Sequence, residues 1–412
     1  MNVFLSTVQS IRQNGLRSVL AGFGIAWGVF LLVIFLGVGN GFKNGVMEMF
    51  NAFAQKSMFV YGGQTSKMGS LLGENSQVFF DRTIVDKISR RYGCINSCSL
   101  EMTSSPKSVF YEGEIVLAQV KGVCADYFNI RILEIRDGRI FNPLDERKDK
   151  NVAVIGEGVE KTLFGNQDAL GRMINIEGSL FKVVGVLSSD DLFSVQDRNT
   201  VYIPAASFIS NFDSNEKVSS FCLSLSTDAN VSDVEKDLIG YLAFIYGFDP
   251  HDETAIYISN IEVQAAAFES LFHGLELLIW IVGVCLLLSG IVGVCNVMFI
   301  IVKERTNEIG IRKAVGSTSI SIISMIMAEA VTITVIAGMI GVLLGSVVIL
   351  FADNVILPML NTKIMEGVKI NLMAVVASVV ILCLSGITAG LFPALKASQI
   401  SPVDAIRYEN RG

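Results

Sequence analysis

Charged residues vanish from four long stretches of the chain and crowd the rest. Ser18–Phe42 (25 residues), Leu277–Val302 (26), Ala330–Ala352 (23) and Asn371–Leu395 (25) carry none. A bilayer crossing takes about 20 apolar residues. A backbone in hydrocarbon must satisfy its own hydrogen bonds, so each stretch is expected to be a transmembrane helix. The first follows Arg12 and Arg17 as a signal peptide would, but a signal's apolar region runs only about 7–15 residues before a small-residue cleavage site. This run is longer and ends in Gly37-Val38-Gly39-Asn40-Gly41, so it reads as a retained helix. Three spans hold glycines four apart: Gly24/Gly28, Gly341/Gly345 and Gly386/Gly390. That spacing lets helices approach closely, and the abundance of glycine in membrane helices also produces it.

Between the first two spans the pattern changes to short alternating or apolar runs. Met58–Tyr61, Ile115–Val123, Val152–Ile155, Phe181–Val186, Val201–Ile203 and Phe221–Leu225 read as strands. Arg82–Tyr92, Glu157–Phe164 and Val231–Tyr246 read as helices, the last with Ser232 and Asp233 at its cap and Val234, Leu238, Leu242 and Ile245 on one face. Thr65–Gln77 and Asp190–Arg198 are polar and turn-rich, hence loops. No repeat of 20–50 residues stands out. The fold class expected is therefore a membrane protein. One N-terminal and three C-terminal transmembrane α-helices flank a large mixed α/β domain of its own core.

Composition sharpens this. Of 412 residues 51% are hydrophobic and 17% charged, with a mean hydropathy of +0.54, well below the usual charged fraction of a soluble domain. Residues 43–276 hold 21 Lys/Arg against 32 Asp/Glu, and the remainder 11 against 7. An acidic domain inside a basic remainder excludes the basic patch that nucleic acid requires, and the plentiful apolar residues exclude disorder. The basic excess also sets topology. Arg12, Arg17, Lys303, Arg305, Arg312, Lys313, Lys396, Arg407 and Arg411 flank one side, against Lys363 and Lys369 in the other short loop. Positive charge stays inside, so both termini and residues 303–318 are expected in the cytoplasm and the acidic domain outside.

Chemistry is sparse. His251 and His273 have no partner at metal-ligand spacing, and neither a nucleophile elbow nor a zinc-protease motif occurs. Asp249-Pro250-His251-Asp252-Glu253 reads as a solvated turn, and Glu112/Glu114 and Asp190/Asp191 as solvated edges. Cys94, Cys98, Cys124 and Cys222 lie in the outer domain, as disulfides or as free thiols. No Gly-x-x-x-x-Gly-Lys-Ser/Thr phosphate loop is present, so the chain is not expected to be an enzyme or a self-contained pump.

The cytoplasmic elements carry more. In Val302-Lys303-Glu304-Arg305-Thr306-Asn307-Glu308-Ile309-Gly310-Ile311-Arg312-Lys313-Ala314-Val315-Gly316-Ser317, a helix would pair Glu308 with Arg312 and present Ile309 as an apolar tip beside Arg312 and Lys313. Ala314–Ala352 is 39 residues, about 58 Å as one helix and far beyond a ~30 Å core. Its first part, Ser317–Ala328, is thus expected at the interface. That places Glu329 near the cytoplasmic edge, touching other helices, touching a partner, or exposed. Ser401, Pro402 and Asp404 start a short tail helix whose Val403, Ile406 and Tyr408 face the membrane or a partner.

The 302–317 segment closely resembles the cytoplasmic signature of the MacB/FtsX-type ABC-transporter permeases, and the resemblance covers nearly the whole chain. Ser10–Ser18 and Gly24-Ile25-Ala26-Trp27-Gly28 are similar to the family's amphipathic start and first helix. Val123–Phe128, Asp137–Phe141, Val154–Gly156, Leu163–Gly165, Ala169–Arg172 and Phe181–Val186 follow the order of its MacB-like periplasmic core. Phe392-Pro393-Ala394-Leu395-Lys396-Ala397 and Ser401–Glu409, with Pro402, Ile406 and Arg407, resemble its C-terminal signature.

The resemblance implies a permease subunit that binds no cofactor itself. It would pair with a second permease copy, identical or a sister, and with a separate ABC ATPase subunit that holds ATP and Mg. By analogy Glu304, Arg305, Glu308, Ile309, Gly310, Ile311, Arg312 and Lys313 couple to that ATPase. The organisation expected is an amphipathic cytoplasmic helix at 1–17, spans at 18–42, 275–302 and 371–395, and the outer domain at 43–272. A coupling loop at 303–318, an interfacial segment and span at 319–352, an outer loop at 353–370 and a tail at 396–412 complete it. The implied location is the cell inner membrane, in contact with lipid. Efflux of drugs or peptides through a periplasmic adaptor and outer-membrane channel is the leading job. Lipoprotein release and regulation of cell-wall hydrolases stay open, as does, in another class, a ligand-sensing scaffold.

Overall fold

The computed structural model describes residues 15–147, 150–188, 197–212, 218–356 and 372–400. The tail residues Pro402, Ile406 and Arg407, the pair Asp190/Asp191 and most of the outer loop at 353–370 lie outside them. The chain divides into two compact units, Val46–Glu269 and a second made of Met1–Gly45 with Ser270–Gly412.

The order begins with α1 (Gly15–Asn51), β1 (Ser57–Gly62), α2 (Ile84–Arg91), β2 (Ile95–Thr103), β3 (Lys107–Tyr111) and β4 (Glu114–Val123). It continues with α3 (Tyr127–Ile130), β5 (Ile135–Gly138), α4 (Pro143–Arg147), β6 (Val152–Ile155), α5 (Glu157–Phe164), β7 (Met173–Ile176) and β8 (Ser179–Leu187). Then come β9 (Thr200–Pro204), α6 (Ala205–Phe212), β10 (Ser220–Leu225), α7 (Val231–Tyr246) and β11 (Ile256–Asn260). The remaining elements are α8 (Ile261–Glu304), α9 (Thr306–Ala314), α10 (Ser319–Phe351), a π-helical turn at Ala352–Ile356, and α11 (Leu372–Ser398).

In the α/β unit β11-β1-β10-β2-β4 form one run of the sheet. From β4 the pairing continues through β3, β7, β8, β6 and β9 and returns to β4, so six strands close into a small barrel. β2 and β3 follow one another along the same edge of β4, with Glu101 opposite Val123 and Lys107 opposite Ala118. The break between them falls at Pro106, which has no N–H to donate. β4–β9 and β6–β8 are parallel and the other pairings antiparallel. Burial on both faces explains the apolar runs. β1 gives Met58 and Val60 to one core cluster and Phe59 to the other.

All six strand runs and all three helices expected here are present, α5 and α7 with the expected ends. β2, β3, β5, β7 and β11 were not expected. β2 reads as polar because Ser99 and Glu101 point into the interior and are buried. The β3–β4 and β7–β8 hairpins turn on Glu112-Gly113 and Glu177-Gly178, all with positive φ, the conformation that two-residue hairpin turns require. The cap of α7 is Asn230, whose side chain accepts from Ser232 N at 3.2 Å, not Ser232 or Asp233.

Among the described residues four helices are long and apolar enough to cross a membrane: Gly22–Asn51, Ile261–Glu304, Ser319–Val355 and Val380–Ser398. Two outrun the expected spans. α1 continues through Lys43 and Glu48 to Asn51 rather than stopping at 42, and α8 begins at Ile261 rather than 275. Charge ends an apolar window, but it does not break a helix. The segment at 319–352 is one continuous helix of 33 residues, Ser319–Phe351. Ile322 and Ile326, in its expected interfacial part, are buried against the other helices. The glycine pairs sit where helices touch. A Cβ on Gly341 would lie 2.4 Å from Ala26 O of α1, and one on Gly24 would meet Gly290 of α8 at 3.3 Å.

Candidate functional site

The stretch between α8 and α10 folds as a short helix, α9. Thr306 Oγ1 donates to Val302 O and Lys303 O at 3.1 and 2.8 Å, which turns the chain out of α8 and into α9. At its other end Val315, Gly316 and Ser317 donate back to Ile311, Lys313 and Arg312 carbonyls. Gly316 takes φ +101°, a backbone that closes a helix and that side chains avoid. Thr318 then caps α10 by accepting from Ser321 N at 3.3 Å.

Three basic side chains tie this helix to its neighbours. Arg305 Nη1 lies 3.2 Å from Glu329 Oε2 on α10, and the Glu329 side chain is 5% exposed. Arg312 donates to the Met325 sulfur. No ion pair joins Arg312 to Glu308 among the described residues, although the spacing permits one, because α10 passes within reach of the guanidinium. Lys313 Nζ donates to Ser398 O at 2.7 Å and Ile400 O at 2.9 Å, filling carbonyls that the end of α11 leaves open.

The apolar tip differs from the one the sequence suggests. Ile309 is 2% exposed and Gly310 is buried, both turned into the helical core. Ile311 (55% exposed), Val315 (84%) and, past the turn, Ile320 (78%) face outward instead. Val315 lies within the 302–317 segment and Ile320 three residues beyond it. Glu304 and Glu308 are exposed. Pro393 is buried inside α11, where its missing N–H leaves Ala389 O without its helical donor.

The outer unit offers no comparable gathering of reactive groups. All seven cysteines are free. Burial pushes the Cys98 and Cys222 thiols well up and Cys124 up to about 11, so none is poised to react. No three His, Cys, Asp or Glu side chains meet as a metal-holding group among the described residues. The 249–253 segment is a turn exposed at Pro250, His251 and Glu253, but Asp252 within it is buried. Its carboxylate accepts from Ser66, Lys67 and Thr254. Burial opposes the Asp252 charge, but these hydrogen bonds outweigh it and hold the carboxyl below the usual range.

Comparison with known proteins places both units. Residues 18–241 match the family model of the MacB-like periplasmic core domain, and residues 280–402 match that of the FtsX-like permease C-terminal region. The chain is 28% identical over 414 residues to the macrolide export ATP-binding/permease protein MacB of Neisseria meningitidis. It is 26% identical over 418 residues to the protein of that name in Neisseria gonorrhoeae. Both alignments cover 99% of this chain and 61% of the relative, so the chain spans about three-fifths of those proteins. The periplasmic region of MacB from Actinobacillus actinomycetemcomitans aligns over 54% of this chain and 96% of that one, at 19% identity and a TM-score of 0.44. With one membrane helix before a MacB-like periplasmic core and three after it, the chain belongs to the MacB/FtsX-type ABC-transporter permeases.

Proposed function

We propose that this chain is the permease subunit that relays the ATP-driven motion of a separate ATPase subunit to its outer domain. α9 is the contact. The observation that carries this reading is a short helix clamped by Arg305, Arg312 and Lys313 to α10 and α11, with Ile311 and Val315 turned away from the bundle. An exposed apolar tip on a rigidly held helix can enter a groove and pass a displacement on without absorbing it. Glu304 and Glu308 form its charged rim, and ATP and Mg reside on the partner.

The subunit works as a dimer of permeases in the cell inner membrane, with both termini in the cytoplasm, as the basic flanks of the spans support. The cargo is a drug, a peptide or a similar molecule passed to a periplasmic adaptor and an outer-membrane channel. The relatives' name, macrolide export, supports efflux over lipoprotein release or hydrolase control.

The test is co-purification from a native membrane with ATPase assay of the eluate. An ATPase that is retained by the wild type and lost with Val315→Asp supports the reading. Retention of the same ATPase by Val315→Asp, or no ATPase with the wild type, overturns it.

A further inference from the structure

Two ion pairs of the α/β unit, Lys121–Glu101 and Arg131–Asp197, are largely withdrawn from water, and the mechanism above uses neither. Lys121 Nζ is 2.9 Å from Glu101 Oε1, and Arg131 Nη2 is 2.6 Å from Asp197 Oδ2. The side chains of the second pair are 9% and 3% exposed. Tyr127 donates to Glu101 Oε1 at 3.1 Å, and Tyr202 donates to Asp197 Oδ1. Removing two opposite charges from water costs about as much as their attraction returns, and apolar residues of similar volume often serve stability as well. Stability is therefore a poor reason for this arrangement. What the pair does fix is geometry.

Its position is specific. α3 and Arg131 follow β4, and the chain that leaves α1 after Asn51 rests on them. Ala54 N donates to Ile130 O at 2.8 Å, and the Arg131 guanidinium stands 5.0 Å from the centre of the Phe53 ring. Phe53 packs edge-on against Phe59 of β1, and Phe50 packs against Phe268 of α8. Ile261, the first residue of α8, is buried in the same apolar cluster. On its far side Arg131 holds Asp197, which Tyr202 of β9 also holds, and β9 closes the barrel onto β4.

We propose that Arg131 is a positioning residue that joins the end of α1 to the barrel. Held on Phe53 from one side and on Asp197 from the other, it makes the segment that leaves α1 and strand β9 move as one piece. The inference rests on the relay reading and names where that relay enters the outer domain. An apolar contact alone would let Phe53 slide over the cluster. The guanidinium on which Phe53 rests cannot follow such a slide, because leaving Asp197 would strand a buried charge.

The experiment uses the full chain in nanodiscs with its co-purified ATPase, and compares amide hydrogen exchange with and without ATP. Three forms are compared: wild type, Arg131→Lys, and the volume-keeping double variant Arg131→Met/Asp197→Leu. The double variant is expected to unfold at the wild-type temperature and to keep the ATP-dependent change in α9. In β9 the change falls severalfold, and Arg131→Lys recovers part of it. An unaltered β9 response in the double variant overturns the joint while leaving the relay standing. A wild type in which ATP changes exchange in α9 but nowhere in the outer unit overturns the relay, and the joint with it.

Discussion

Glu329 and Arg305 are 24 residues apart in sequence and 3.2 Å apart in space. Glu329 lies on the buried face of α10 and Arg305 at the bend between α8 and α9, so one contact fixes where α9 starts. Glu329→Ala leaves a mostly buried guanidinium without its partner and is expected to cost about 1–3 kcal/mol. Arg305→Ala together with Glu329→Ala should cost less than the sum of the single changes, with a coupling of roughly 0.5–3 kcal/mol. The only two tryptophans, Trp27 and Trp280, both sit in membrane helices. Tryptophan fluorescence, excited selectively over tyrosine, therefore reads this unit alone. Additive costs would show that the two groups are neighbours without being partners.

The two isoleucines of α9 separate folding from docking. Ile309→Ala empties a buried site and is expected to cost roughly 2–5 kcal/mol of helical-unit stability. Ile311→Ser, at an exposed position, should change stability by no more than about 0.5 kcal/mol. It should nevertheless reduce the ATPase that co-purifies. A loss of stability in Ile311→Ser equal to that in Ile309→Ala would mean that the outward face of α9 is packed against the chain itself.

Much of this architecture is legible in the sequence, because long charge-free runs have a single stable solution in a bilayer. The ends of the helices are not. Lys43, Glu48, Glu262 and Glu269 close an apolar window yet sit comfortably in helices that leave it. The strands found from sequence are apolar along their length: β6, β9 and β10 are buried on both faces, and β4 and β8 bury alternate positions. β2 stays hidden because its inward Ser99 and Glu101 satisfy a buried polar network, which makes the strand look like a loop. In the candidate site the segment and its charges are legible, but their partners are not. Lys313 meets carbonyls 85 and 87 residues away, and local spacing carries no record of that. That Ile309 is covered and Ile311 exposed has the same origin. A nine-residue helix has an apolar residue on either face, and only α10 and α11 decide which one is covered.

Glycines on the helix faces are expected to divide by what stands opposite. Gly341→Ala would place a Cβ 2.4 Å from Ala26 O, a backbone atom that cannot swing aside. The overpacking should cost about 1–3 kcal/mol and lower the fluorescence-detected unfolding temperature. Gly293 of α8 has nothing within 4 Å of a new Cβ among the described residues. Gly293→Ala should therefore gain about 0.5–1 kcal/mol from helix propensity. Equal effects at both sites would remove the case that close approach of α1 and α10 requires glycine.

The outer unit should lose stability steeply only in strong acid, and Asp145 is one identifiable cause. Burial works against its charge, but hydrogen bonds from Arg139, Asn142 N and Lys150 outweigh it and draw the carboxyl down to about 2. Asp252 is lowered by the same balance. A carboxyl with a lower pKa folded than unfolded binds fewer protons in the folded state. Its stabilisation is complete above the unfolded value near 4 and disappears as pH falls from about 4 towards 2. Asp126 and Glu146 carry the opposite sign, because burial raises both. Their contribution is present in acid and is lost as pH rises through their raised values, so between pH 7 and about 4 the unit should hold steady or gain slightly. This unit has no tryptophan, so amide exchange in β6 and β8 is the measure. Asp145→Asn should be less stable than wild type at pH 7 and should flatten the acid limb. An acid limb of unchanged slope in Asp145→Asn would assign the acid sensitivity to other carboxylates.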